Sequence, residues 1–208
     1  MEHERKSRGG RTWSFDRRQA VETAMRLFWR HGYEGVSIGD LTRAIGIAPP
    51  SLYAAFGSKA GLYAEVLDHY EKHFGAIDVA AIQSAASLAE GVRVLLEGTM
   101  RAVTHPGRER GCMISSGLVA CHPDHTALAR DAALRRNAMR ERIAEALRPH
   151  AGPRVLDRLA RHLAAVLQGM SIQARDGATP AELQEIIEDV VAGVAARFPA
   201  GRGGSGGS

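Results

Sequence analysis

Cysteine is scarce in this chain: Cys112 and Cys121 are the only two among 208 residues. Two thiols cannot make a disulfide framework, so a reduced, cytoplasmic setting is the expectation. Aromatic residues are only 5% of the chain. With alanine abundant, that shortage favours helices over sheets. No stretch approaches the ~18 consecutive apolar residues of a membrane span, so no membrane partner is expected. The first residues are polar and charged, with no apolar core of a secretory signal. No internal repeat is visible. A nucleophile–base pair is missing too, which argues against an enzyme. His122, Asp124 and His125 are separated by Pro123 and have no second ligand cluster at a convincing spacing, so neither a metal nor a cofactor is expected.

What is present is a basic N-terminal third and ample apolar material, 45% of the chain. Residues 1–60 hold ten Lys or Arg against six acids, a local excess equal to the whole net charge of +4. Positive charge gathered in one part is the electrostatic footprint expected of a nucleic-acid binder. Within that part, residues 38–59 carry the strongest local signals. Ser37 is a good helix N-cap, and Asp40 places negative charge where a helix start favours it. Ile38, Leu41 and Ile45 form one apolar face, and Gly46 can end the helix in a left-handed conformation. Pro49 and Pro50 fit only the first turn of a second helix. Leu52 and Phe56 can bury against the first helix, leaving Ser51, Tyr53 and Ala54 facing away. Ser58 can cap a third helix. Lys59 in its first turn is unfavourable for the helix dipole unless a phosphate sits there. Two short helices joined by a glycine-bearing turn can lay the second in a DNA major groove.

The chain divides into four parts. Residues 1–13, with Arg5, Lys6, Arg8 and Arg11, read as a flexible basic arm able to follow a DNA backbone. Residues 14–74 read as a DNA-binding domain, with a helix over 16–31, the two-helix motif at 37–56 and a helix over 59–74. Residues 75–200 read as helices only. These are 88–105, a nearly uncharged 110–121, then 124–147, 154–175 and 180–198. The third of them has Leu128, Leu134, Met139, Ile143 and Leu147 as its apolar set, with Asp124 as its cap. Residues 201–208 are a Gly/Ser-rich flexible tail resembling an appended linker.

Residues 28–67, "FWRHGYEGVSIGDLTRAIGIAPPSLYAAFGSKAGLYAEVL", resemble the DNA-binding domain of TetR/AcrR-type transcriptional regulators. The order Gly-Tyr, Val-Ser-Ile, Ala-x-Gly-Ile, Ser-Leu-Tyr, Phe and Ser-Lys carries the likeness. The resemblance implies an all-α protein: a three-helix DNA-binding unit followed by a larger helical ligand-binding and dimerisation domain. It implies a ligand-responsive repressor that binds a palindromic operator in double-stranded DNA as a homodimer and is released by a small-molecule effector. By position, Ser37, Tyr53 and Lys59 match the family's phosphate contacts. Arg43, Pro49, Pro50, Ser51 and Ala54 match positions that approach base edges. Pro49 and Pro50 stand where small polar residues are usual. They cannot hydrogen-bond bases, though they can meet a thymine methyl.

The resemblance also places a two-fold dimer on the last two helices. Periodicity supports it through Leu156, Leu159, Leu163, Val166 and Met170 on one helix and Ile187, Val190 and Val194 on the other. An intramolecular core would use part of each stripe as well. The effector or sensor candidates are Cys112, Met113, Ser116 and Leu95. Cys112 follows Arg108 and Arg110 at the expected start of a helix, a setting that activates thiols. Some regulators of this type carry a sensing cysteine in that neighbourhood. A thiol-based electrophile or oxidant sensor is therefore one alternative, a small buried hydrophobe another. On one intact helix Cys121 would lie on the opposite side from Cys112, out of disulfide reach. A helical dimeric adaptor without a DNA role is the remaining alternative.

Overall fold

The structure is a computed structural model, and it describes residues 15–75 and 77–199. Among the described residues there are ten α-helices, two 3₁₀ turns and no strand. Both the basic arm and the Gly/Ser tail lie outside the described residues.

Helix α1 (Arg17–His31) starts where Asp16 accepts from the amides of Arg18 at 2.8 Å and Gln19 at 3.1 Å. Helix α2 (Ile38–Ile45) opens with a capping box. Ser37 Oγ accepts from Asp40 N–H, and the Asp40 carboxylate accepts from Ser37 N–H. Gly46 ends it at φ 79°, a conformation glycine reaches without strain. Helix α3 (Pro49–Phe56) begins on its two prolines, and α4 (Lys59–His73) begins on Ser58. These four helices pack around Ala24, Phe28, Leu41, Leu52, Leu62 and Val66, all fully or nearly fully buried. Phe28, Tyr33 and Tyr63 form an aromatic centre, the Tyr63 ring lying 5.0 Å from each of the others. Burial pushes the Tyr63 phenol up to about 12, so it stays neutral near pH 7.

The larger part contains α5 (Val79–Gln83), α6 (Leu88–Val103), α7 (Met113–Ser116), α8 (Thr126–Ala146), α9 (Pro153–Arg175) and α10 (Pro180–Arg197). Helix α10 lies along α6, and α9 along α8. Their core is built on Leu96, Ile143, Leu163, Met170, Leu183 and Ile187, each buried completely or within 1% of it. The N-terminal core does not stop at residue 74. Met113, Ile114 and Leu118, with Ala132 of α8, close its far side.

Several expectations change. The helix anticipated over 110–121 is only the four residues of α7. Gly117 turns extended at ψ 130°, and Leu118 takes a left-handed φ of 48°. The Arg136 guanidinium satisfies the carbonyls freed there, donating to Ile114 O at 3.2 Å and Gly117 O at 2.8 Å. Cys112 and Cys121 therefore do not share one helix, although both thiols are free. Asp124 is not the cap of the following segment. His122 caps the 3₁₀ turn Pro123–His125 before it, accepting from Asp124 N–H through Nδ1, and no side chain caps α8 itself. Leu134 is not in the core but 67% exposed. Helix α5, capped by Asp78, had no counterpart in the sequence reading.

The dimer candidates differ in how far the chain's own core covers them. Leu156, Leu159, Leu163, Met170, Ile187 and Val194 are buried within the single chain. Val166 and Val190 are only half-buried. Amphipathic periodicity marks a buried face without saying which chain buries it.

Burial separates two leucines that look alike in sequence. Leu163→Ala is expected to cost about 2–5 kcal/mol, and Leu134→Ala about 0.5 kcal/mol or less, by urea unfolding. Equal losses would contradict the placement of α8 and α9.

Candidate nucleic-acid interface

The reading unit is short, and its geometry depends on a few side chains. Helix α3 has eight residues, of which only Leu52 and Phe56 are buried. An isolated helix of that length is marginal, so it is held from outside. Arg17 does this. Its Nη1 donates to Ala55 O at 2.6 Å, its other nitrogen pairs with Glu65 of α4, and its guanidinium lies 4.5 Å over the Phe56 ring. One side chain at the start of α1 thus fixes the end of α3 to α4. Sequence reasoning counted Arg17 as basic charge only, because none of its partners is local.

Pro49 and Pro50 stand exposed at the first two positions of α3, and no side chain caps that helix start. Tyr53 is 47% exposed and Ala54 is exposed, while Ser51 is half-buried. Arg43, on the last turn of α2, has a side chain 79% exposed and one tether, Asp40 Oδ1 at 3.2 Å. Asp40 is held below the usual carboxylate range by the Ser37 hydroxyl and amide, with smaller help from Arg43. Ser37 Oγ lies 2.6 Å from that carboxylate, to which it donates. Lys59 is less free than expected. Its ammonium lies 4.2 Å over the Tyr33 ring, where burial lowers its pKa against the opposing pull of Glu34. The structure therefore joins Ser37 to Arg43 through Asp40, and places Pro49, Pro50, Tyr53 and Ala54 in solvent on α3. Lys59 is set apart on an aromatic face.

A cavity of about 240 Å³ lies in the larger part, against α4. Tyr70 of α4 and Phe74 just after it, Leu95 and Thr99 of α6, and Cys112, Ile114 and Ser115 contribute to its wall. Of the four effector candidates, Leu95 and Cys112 line it and the other two do not. Met113 is buried in the N-terminal core, and Ser116 Oγ donates back to Cys112 O at 2.8 Å. The Tyr70 phenol is raised well above its ordinary value by burial and by its hydrogen-bonding neighbour Cys112. A second, open groove of about 540 Å³ runs between α9 and α10, bordered by Val155, Leu159, Val190, Val194 and Phe198. Among the described residues, no three His, Cys, Asp or Glu side chains are grouped to hold a metal ion. Among the same residues, no helix is long and apolar enough to cross a membrane.

Comparison with known proteins matches this architecture. The family model described as "Bacterial regulatory proteins, tetR family" matches residues 20–66. The chain is 34% identical over 193 residues to the HTH-type transcriptional repressor ComR of Escherichia coli (strain K12), covering 88% of this chain and 90% of ComR. It is 33% identical to the HTH-type transcriptional repressor BdcR of the same organism, covering 81% of this chain and 83% of BdcR. Among solved structures it is similar to a cysteine-substituted TetR-family regulator, CifR, complexed with a 26-bp double-strand operator DNA. That likeness has a TM-score of 0.81 at 35% identity, covering 88% of this chain and 98% of CifR.

The reading unit is tied to the larger part by Glu34. Its carboxylate accepts from His122 N–H at 2.7 Å and lies 2.8 Å from His125 Nδ1. These bonds, the His122 amide first, hold its pKa below 4.5. The stability they contribute is complete above 4.5 and is lost as pH falls through the lowered value. Glu34→Gln should therefore melt below wild type at pH 7, with the gap closing in thermal scans taken below pH 4.5. A gap that persists unchanged at low pH would remove Glu34 from this role.

Proposed function

The chain belongs to the tetR family of bacterial regulatory proteins, and on that premise we propose that it is a ligand-responsive transcriptional repressor. It binds a palindromic operator as a homodimer in the cytoplasm and carries out no catalysis. The observation that carries this reading is the exposed face of α2 and α3, where Arg43, Pro49, Pro50, Tyr53 and Ala54 stand in solvent on a rigidly held motif. The likeness to CifR, whose structure holds operator DNA, supports the docking mode.

Direct base readout rests on Arg43, whose fork can take guanine O6 and N7 once released from Asp40, and on Ser51. The prolines and Ala54 offer only apolar contact, to thymine methyls. Ser37, Tyr53 and Lys59 serve the backbone, with Lys59 swinging from the Tyr33 ring to a phosphate. A reading helix this small gains useful affinity only when a dimer engages two half-sites, about 34–36 Å apart. The α9–α10 groove, with Val190 still partly open on its wall, is the face for the second copy. The cavity beneath α4 takes the effector. At about 240 Å³ it falls below the roughly 300–1,000 Å³ of drug-sized sites, so the effector is a small molecule.

One observation favours a thiol-switched version of the same regulator: Cys112 stands in that cavity wall beside the Tyr70 hydroxyl. Full retention of electrophile response by Cys112→Ser would eliminate it.

Fluorescence anisotropy with labelled duplex from the chain's own upstream region tests the main reading. Wild type should prefer it to random duplex, with affinity falling steeply as salt rises. Arg43→Ala should lose about 1–3 kcal/mol, roughly 5- to 150-fold, on that duplex alone. Equal affinity of wild type for upstream and random duplex would refute the repressor reading.

A further inference from the structure

Helix α1 ends in the clamp of a distant arginine. Arg175, the last residue of α9, donates from Nη1 to Trp29 O at 2.9 Å and from Nη2 to Arg30 O at 3.0 Å. These carbonyls belong to the final turn of α1, where the helix leaves its last C=O groups without intrahelical partners and the dipole favours a cation. Gly111 sits under the aliphatic stem of the same arginine. Its φ is 79°, and a Cβ there would run into Arg175 Cγ and stand 2.9 Å from both Arg175 Cδ and Ser171 O. Gly111 O accepts from the buried Trp29 indole at 3.2 Å, and Glu109 pairs with Arg30 through two contacts of 2.8 and 3.0 Å. The segment 109–112 is thus wedged between the end of α1 and the end of α9.

That wedge begins at the cavity. Cys112 lines it, and Cys112 N–H donates at 2.8 Å to Ser171 Oγ, which is fully buried one helical turn before Arg175. An occupant that pushes the Cys112 wall must move the segment on which Gly111 sits. Gly111 has no room against the Arg175 stem, so the clamp has to shift with it. Downstream, the end of α1 leads through the buried Tyr33 and Val36 directly into α2.

We propose that Arg175 is the positioning residue that sets the angle of the DNA-reading unit against α9, and that the Cys112–Ser171 contact makes this setting sensitive to the cavity. The inference rests on the repressor reading for its consequence on DNA, but not for the clamp itself. Lysine could reach one carbonyl but not fork across two. A clamp that only stabilised the fold would alter melting without altering which half-site spacing is accepted.

The test compares wild type, Arg175→Ala and Arg175→Lys in two measurements. In the first, anisotropy gives the affinity ratio between the upstream operator duplex and the same duplex with its half-sites moved apart by one base pair. The ratio should fall about fivefold or more in Arg175→Ala, the low end of ordinary coupling between sites, and recover in part in Arg175→Lys. Affinity for random duplex should not change. In the second, hydrogen exchange should speed up in peptides spanning 29–36 and 108–113 of Arg175→Ala, with α6 and α10 unchanged. An Arg175→Ala protein with the wild-type ratio overturns the proposal, as does wild-type exchange in both peptides. If wild type itself shows no operator preference, the repressor reading fails, and exchange alone then decides whether the clamp exists.

Discussion

Helix α4 is buried on more than one side, and the rest of the molecule is arranged around that constraint. Leu62, Tyr63, Val66, Leu67 and Tyr70 are all almost completely buried, a stripe too wide for a single neighbour. One side meets α1, with the Phe28–Tyr63 and Trp29–Tyr70 rings edge to face at 5.0 and 4.9 Å. Another side meets α7. Tyr70 also reaches the cavity, so the helix supporting the reading unit is part of that cavity's wall. A packed helix cannot yield gradually on one face and hold on another, since interiors are as dense as crystals. Whatever moves α4 moves both neighbours.

Ion pairs add orientation to that packing. Arg135 of α8 pairs with Asp68 and Glu71 of α4 and with Asp131 on its own helix. Its side chain is only 15% exposed, so the network is better shielded than an ordinary surface pair, whose value is close to nothing. Glu34, Arg30 and Arg135 tie the reading unit to different segments of the larger part: the 122–125 turn, the 109 loop and α8. Distributed ties of this kind fix an angle, where one tie would leave a hinge.

The parts of this arrangement legible in the sequence are those decided by near neighbours. Ser37 with Asp40, Gly46, Pro49 with Pro50, and Ser58 each settle a helix boundary through contacts within a few residues, and the structure places every one of those boundaries as the text implies. Leu52 and Phe56 followed from spacing alone. The segment 110–121 failed because its apolar text suits a helix, while its real conformation is set by Arg136, Ser171 and Arg175 from elsewhere in the chain. Leu134 failed because α8 is charged on most of its surface and its apolar positions do not all face one way. Apart from the half-buried Val166 and Val190, the candidates on the α9 and α10 stripes are buried, yet periodicity carries no information on whether the covering surface is this chain or a second copy. The partners of Arg17 and Arg175 are invisible in the sequence for one reason: a long cation declares its charge there but not what it pairs with.

The chemistry of the reading face shapes how a protein built this way can discriminate DNA. Of the residues on α3, two are prolines and two are Ala54 and Ala55, so hydrogen-bonding capacity toward bases is low. Arg43 is the strong donor of the proposed interface, and its one tether is Asp40. With little direct readout in each half, specificity shifts to whether two halves meet the duplex at the right separation, and to how easily the duplex conforms. Selection by spacing rewards a rigid connection between each reading helix and the dimer axis. It also makes release simple, because a small change of angle at α1 is magnified along the lever to α3. A reading face rich in base contacts would tolerate a loose mount. This one requires a stiff one, and the wedge of residues 109–112 between α1 and α9 meets that requirement.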